Sequence, residues 1–260
     1  MSQGDSSEST PAALARLYDL DLAEDPGDVA LYRALARRAG GPILELAVGT
    51  GRVAAALAAD GHRVTGVDID PSMLARARAL DAGLTLIEAD LVDAPAHDSV
   101  VAAGPYALAF IALNSILLLA NAERQRAAIE SMARLLAPGG IAVVDAWQPS
   151  PQDLVAFDGR LSLEWLRTDP ETGREVTKTV AAWFDPMIRN VTLTTIFEEG
   201  HPGASPVRWT RTDALRLITA DELASFAAAA GLEVEQLAGD HELGPLGPGS
   251  ERVVLVARKP

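Results

Sequence analysis

The chain has 260 residues, of which 48% are hydrophobic and 22% charged, so it carries enough apolar side chain for a sizeable core and is not a disordered polymer. Acidic residues outnumber basic ones 36 to 22, and the resulting net charge of −14 repels phosphate backbones, which argues against nucleic acid as a partner. Cysteine is absent, which removes disulfides, thiolate nucleophiles and cysteine-ligated metals.

Residues 1–10, MSQGDSSEST, are polar and acidic and read as a disordered lead-in, not a signal peptide. Helical patterns follow over 11–20, with Pro11 at the first position, and over 28–39, with Asp28 as cap. Beyond Gly40 short apolar strands alternate with helices. Strands are expected at 43–48, 63–67, 84–89, 106–113 and 141–144, and helices at 52–60, 71–80 and 121–136. That alternation means a parallel sheet covered on both faces. The longest apolar run, 106–120, is interrupted by Asn114 and Ser115. It falls short of the ~20 residues that a membrane-spanning helix needs, so a cytoplasmic protein with no membrane partner is expected.

The pattern changes after residue 150. Segments 162–168, 174–184, 191–198 and 207–219 read as strands joined by turns, hence an antiparallel meander. A helix over 221–230, capped by Thr219 or Asp221, and strands at 233–237 and 252–258 complete the chain. The organisation expected is one domain over 11–260, with a helical cap at 11–40 and an inserted lid at 160–218.

The most informative segment is ILELAVGTGR, residues 43–52. Gly49, Gly51 and Ala54 satisfy a loose G-x-G-x-x-A pattern between a strand and a helix. Asp68 stands 17 residues beyond Gly51, where a carboxylate accepts hydrogen bonds from both hydroxyls of a ribose. Alone, this fits nicotinamide and flavin dinucleotides as well as other adenosine ligands. Glu45 lies inside the first strand, where a carboxylate is costly unless it is paired. It makes sense beside a ligand ammonium or supporting the glycine loop. Asp90 follows the third strand, placed to accept a hydrogen bond from an adenine amino group.

With these residues in hand, the sequence resembles the class I S-adenosylmethionine-dependent methyltransferases. ILELAVGTGR, VTGVDIDPSMLARAR, LIEADL, ALAFIALNSILLL and LLAPGGIAVVDAW resemble that family's successive motifs, in order and spacing, over 43–147. The resemblance continues more loosely to the final strand. It implies a doubly wound, mostly parallel, Rossmann-like α/β sheet of seven strands with the meander inserted. It also implies S-adenosylmethionine as cofactor, held by Glu45, Ala47, Gly49, Gly51 and Arg52 of the first motif. Asp68, Ile69 and Met73 of the second, Asp90 and Leu91 of the third and Asn114 of the fourth would join them. Tyr18 and Tyr32 on the N-terminal helices would cover the cofactor. One departure is Ala47, where many relatives carry glycine. The meander and the segment GDHELG, 239–244, are similar to the small-molecule branch, which includes enzymes that methylate amines of sugars and of glycine.

The function implied is methyl transfer to nitrogen or oxygen of a small-molecule acceptor by in-line displacement, by a monomer or homodimer. His241 and Asp145 are the candidate catalytic residues. No strong general base stands out, which favours an amine acceptor, because a hydroxyl needs a base within reach. The histidines lack metal-ligand spacing, so no metal is expected. No G-x-S-x-G elbow or P-loop is present. Two readings stay open: a protein that binds S-adenosylmethionine or S-adenosylhomocysteine without transfer, and a nicotinamide-dependent oxidoreductase.

Overall fold

The apolar strands assemble into one seven-stranded sheet, described by a computed structural model over residues 10–200, 203 and 205–260. Positions 1–9 of the expected lead-in lie outside the described residues. In chain order the elements are α1 (Thr10–Asp21), α2 (Asp28–Ala39), β1 (Ile43–Leu46), α3 (Arg52–Ala59), β2 (Val64–Asp68), α4 (Pro71–Ala79) and β3 (Thr85–Glu88). Next come α5 (Asp98–Ala103), β4 (Tyr106–Ile111), α6 (Ala122–Leu135), β5 (Leu136–Trp147) and α7 (Pro151–Ala156). The chain ends with β6 (Asp158–Thr168), β7 (Glu175–Asp185), β8 (Asn190–Glu199), β9 (Val207–Arg216), α8 (Ala220–Ala229), β10 (Glu233–Ala238) and β11 (Arg252–Arg258).

The sheet runs β10-β11-β5-β4-β1-β2-β3, with β1 to β5 mutually parallel and β11 antiparallel to both neighbours. Chain order reverses between β1 and β4, the switch point at which open α/β sheets bind ligands. Buried side chains form a layer on either face of the sheet. One includes Leu44, Leu46 and Ile111, the other Ile43, Leu108 and Phe110. That alternation along a strand is what a sheet covered by helices requires.

Several boundaries differ from expectation. Helix α6 ends at Leu135, and Pro138-Gly139-Gly140 belongs to the long strand β5. The pairing jumps from Tyr106↔Leu136 to Leu108↔Ile141, so an irregularity absorbs the extra residues. Helices α5 and α7 are too short to show a helical period in the sequence. Asp28 is not a cap: Gly27 occupies the cap position, and Asp28 is fully buried inside α2. Thr219 caps α8 in a reciprocal pair with Glu222.

Strands β6 to β9 form a second, four-stranded antiparallel sheet. Its inner face packs on α1 through Leu17, Leu20, Val176 and Phe197, with Trp165 and Trp209 against them. Beside that contact Arg16 of α1 meets Glu199 at 2.9 Å and Asp169, all three nearly inaccessible to solvent. Lys178 reaches Asp21 at 2.6 Å, and Arg167 donates to the carbonyls of Leu20 and Asp21. Helix α1 is therefore fastened along its length to the meander. Among the described residues no helix is long and apolar enough to cross a membrane.

Candidate active site

The loop after β1 turns sharply because three of its residues have left-handed backbone: Ala47 at φ 60°, Gly49 at φ 56° and Gly51 at φ 86°. Glycine is needed most at Gly51, where a Cβ would also stand 3.1 Å from the Cβ of Ala77 on α4. At Ala47 the same conformation carries a strain of about 1 kcal/mol. Ala47→Gly is expected to raise stability by somewhat less than that, since glycine also loosens the unfolded chain. Urea unfolding reads the change, and a lower midpoint would mean that the methyl group packs favourably.

Asp68, at the end of β2, accepts hydrogen bonds from the Gly49 N–H at 2.7 Å and the Asp70 N–H at 2.9 Å. Burial still pushes its carboxyl above the usual range. Asp70 caps α4 through the Ser72 N–H at 2.7 Å. Inside β1, Glu45 is buried and its Oε2 has no hydrogen-bond partner. Burial pushes its carboxyl well above the usual range, with Arg52 and the Ala54 N–H working against the shift. The Arg52 guanidinium forks onto Asp28 at 2.8 and 2.7 Å, which explains why Asp28 is buried.

Three hollows meet around this loop. A cleft of about 720 Å³ runs from Asp90 and Leu91 past Met73, Ile69 and Asp68 to Ala47 and Gly49. Its cover is Thr10, Leu14 and Tyr18 of α1, with Arg211 and Asp213 of β9. A recess of about 20 Å³ holds Glu45, Arg52, Tyr18 and Ser115. A chamber of about 270 Å³ lies between α1 and the meander, with Asp21, Lys178, Thr195 and Phe197 in its wall. Cleft and chamber share Leu14, Tyr18, Arg211 and Asp213.

Residues 43–140, which carry the loop and the cleft floor, match a family described as a methyltransferase domain. Over 92% of this chain and 98% of the other, the structure is similar to the CcbJ methyltransferase of Streptomyces caelestis, with a TM-score of 0.75 and 26% identity. Residues 43–140 thus form a methyltransferase domain, and the chain is similar to methyltransferases along most of its length. Among curated proteins it is 28% identical to the dTDP-3-amino-3,4,6-trideoxy-alpha-D-glucopyranose N,N-dimethyltransferase of Streptomyces venezuelae, over 90% of this chain and 94% of that protein. A 35% identity to the demethylmenaquinone methyltransferase of Clavibacter sepedonicus extends over 130 residues, 49% of either protein, so that match spans about half of the relative's length.

The methyltransferase brings Tyr18, Ala47, Gly49, Asp68, Ile69, Met73, Asp90 and Leu91 to one cleft, and Glu45 and Arg52 to the adjoining recess. Asp90 is already engaged there, accepting from the Val92 N–H at 3.0 Å and pairing with Arg124. Asn114 lines the chamber, not the cleft. Its Oδ1 accepts from the Trp147 N–H at 2.7 Å, and its neighbour Ser115 faces the cleft instead. Tyr32 departs from expectation. It is fully buried, stacks on Phe110 with ring centroids 4.3 Å apart and lines none of the three hollows, so it packs the core and covers nothing.

The paired candidates His241 and Asp145 also lie elsewhere. Asp145 is fully buried, held by Arg252 at 2.7 Å and by His241 Nε2 at 3.0 Å, and neither residue lines the cleft or chamber. They tie β5 to β11 and the 239–244 segment. Sequence reasoning missed Arg211 and Asp213. The signal was available in β9, where Trp209, Arg211 and Asp213 recur at every second position and so share a face. No group of His, Asp or Glu among the described residues is arranged to hold a metal.

Proposed function

We propose that this methyltransferase transfers a methyl group to the amine nitrogen of a compact small molecule in the cytoplasm. The observation that carries this reading is the junction of cleft and chamber at Tyr18 and Asp213. S-adenosylmethionine, when bound, supplies a methyl group already activated on a sulfonium, so the protein's work is positioning and exclusion of water. Glu45 accepts the cofactor's ammonium in the recess; its orphaned Oε2 is a ready partner. Asp68 accepts from the ribose hydroxyls, and Asp90 and Leu91 meet the adenine end, with Met73 and Ile69 beside them. The segments 11–40 and 160–218 serve as cap and lid of one domain.

On the acceptor side, Asp213 holds the amine and takes its proton at a carboxylate oxygen, while Tyr18 keeps water from the junction. Both cations of the chamber are already matched by carboxylates: Lys178 by Asp21 at 2.6 Å and Glu164 at 2.8 Å, and Arg211 by Asp213 at 2.9 Å. Three carboxylates, Asp21, Glu164 and Asp213, thus stand against two cations, and that surplus, together with the acidic protein as a whole, favours a cationic amine over a phosphorylated acceptor. The Streptomyces venezuelae relative is likewise an N,N-dimethyltransferase of an amino sugar.

The test is calorimetric titration with S-adenosylmethionine and S-adenosylhomocysteine, followed by an amine panel read by S-adenosylhomocysteine release. Micromolar binding of both, and turnover that drops at least about tenfold in Asp213→Asn, are expected. Turnover of hydroxyl acceptors alone would overturn nitrogen as the target. Binding without turnover on any acceptor would favour a non-catalytic role.

A further inference from the structure

Just past the end of β4 the backbone is left-handed at two consecutive residues, Leu113 at φ 39° and Asn114 at φ 69°. Such a kink persists only where its surroundings hold it, and Asn114 is held tightly. Its N–H donates to the carbonyl of Asp145 at 3.1 Å, and its own carbonyl accepts from the Leu117 N–H at 2.8 Å. Its side-chain Oδ1 accepts twice, from the Trp147 N–H at 2.7 Å and from Arg252 Nη2 at 3.2 Å. Both partners are donors, so the amide can face only one way: a nitrogen in that place would meet two N–H groups. The two protons on Nδ2 are left over. Among the described residues Nδ2 has no hydrogen-bond partner, and it is not one of the orphaned atoms sealed in the core. The hollow that Asn114 lines is the chamber.

Arg252 is itself braced. It binds Asp145 Oδ1 through Nε at 2.8 Å and through Nη2 at 2.7 Å, and the other oxygen of Asp145 meets His241 Nε2 at 3.0 Å. Asp145 is fully buried, so neither partner can be exchanged for water. Arg252 and Trp147 are directly opposed in the ladder between β11 and β5. One pair of cross-strand neighbours therefore supplies both donors that fix the Asn114 oxygen. Arg252 lines none of the three hollows, so whatever it does for a ligand in them it does through Asn114.

We infer that Arg252 is a positioning residue for the acceptor: backed by Asp145 and His241, it locks the Asn114 amide so that Nδ2 donates a hydrogen bond to an oxygen of the molecule in the chamber. The inference rests on the amine reading above and narrows it. The acceptor is an amine that also carries a hydroxyl or carbonyl oxygen, with its nitrogen at Asp213 and its oxygen at Asn114, two residues in the wall of the same chamber. A donor fixed in advance costs less to engage than one that must be ordered on binding, which is what the brace of Arg252 contributes.

Steady-state kinetics with matched amines tests it, 2-aminocyclohexanol against cyclohexylamine and 3-amino-1-propanol against butylamine, at saturating S-adenosylmethionine. The unaltered protein is expected to show a KM about tenfold lower for the oxygen-bearing member of each pair. Asn114→Asp keeps the oxygen that Trp147 and Arg252 hold and exchanges Nδ2 for a second oxygen. It should erase the preference while S-adenosylhomocysteine affinity stays the same. Arg252→Lys keeps a cation on Asp145 but cannot also fork to Asn114. It should cut the preference about fivefold through KM, with kcat for the plain amine unchanged, a split that general loosening of the fold would not produce. Melting temperatures check that both variants fold, and Asn114→Asp decides the matter if Arg252→Lys does not. Plain amines methylated as readily as their oxygen-bearing partners, or a preference indifferent to Asn114→Asp, would overturn the inference and leave transfer to nitrogen standing. Methylation of no amine of either kind, in protein that binds S-adenosylhomocysteine, would overturn the amine reading and this inference with it.

Discussion

Asp68→Ala is expected to weaken S-adenosylhomocysteine binding about a hundredfold, which corresponds to losing roughly two hydrogen bonds to a charged acceptor. The carboxylate has two duties at once. Its oxygens hold the N–H groups of Gly49 and Asp70, which fixes the glycine loop against the start of α4. It also faces the cleft, where a ribose would find a charged acceptor. Alanine removes both. Asp68→Asn keeps one acceptor oxygen and should lose about tenfold. Calorimetry separates the two variants, and wild-type affinity in the alanine protein would remove Asp68 from the cofactor site altogether.

Glu45→Gln should move stability and binding in opposite directions. In the folded, ligand-free protein, burial raises the Glu45 carboxyl well above its ordinary value, and Arg52 offsets this only in part. The unfolded chain releases that proton in the ordinary carboxylate range. Between the two values the native state holds a proton that the unfolded state has lost, so stability falls as pH rises through this window and stays lower above it. Glutamine abolishes the titration. The variant should therefore melt higher at neutral pH, by about 2–4 °C for each kcal/mol regained, and show a flatter pH profile. The cofactor's ammonium, however, no longer meets a carboxylate, and affinity should fall about thirtyfold for a charge-assisted bond of roughly 2 kcal/mol. Thermal melts across pH and calorimetry on the same samples check both. Stability and affinity falling together would show that Glu45 only braces the glycine loop.

What the sequence revealed, and what it hid, follows from the range of the interactions. The glycine loop, Asp68 and the Asp70 cap are local: each depends on residues a few positions away or on a strand end, and each was legible. Asp28 looked like a cap because an acid at a helix start is a common local signal. Its partner Arg52 stands 24 positions on, and that long-range bond won. Tyr32 and Tyr18 are alike in sequence, yet only the packing of α2 on β4 sends Tyr32 into the core against Phe110. Asp145 sits at a strand end where α/β enzymes place reactive groups, but Arg252, arriving 107 residues later on β11, occupies it. The chamber was hardest to see, since its walls come from α1 and from strands that follow more than 150 residues later.

The fastening of α1 to the meander has a kinetic consequence. Arg16 locks the helix to Asp169 and Glu199, and Arg76 on α4 holds the same pair of elements through Asp19 and Glu171. Helix and meander thus form one continuous cover over cleft and chamber, latched to α4. Were that cover to open as a unit, release of the spent cofactor would expose the acceptor as well, because the two hollows share Leu14, Tyr18, Arg211 and Asp213. An amine that takes two methyl groups would then be methylated distributively, with the singly methylated compound set free between rounds and accumulating before the doubly methylated one.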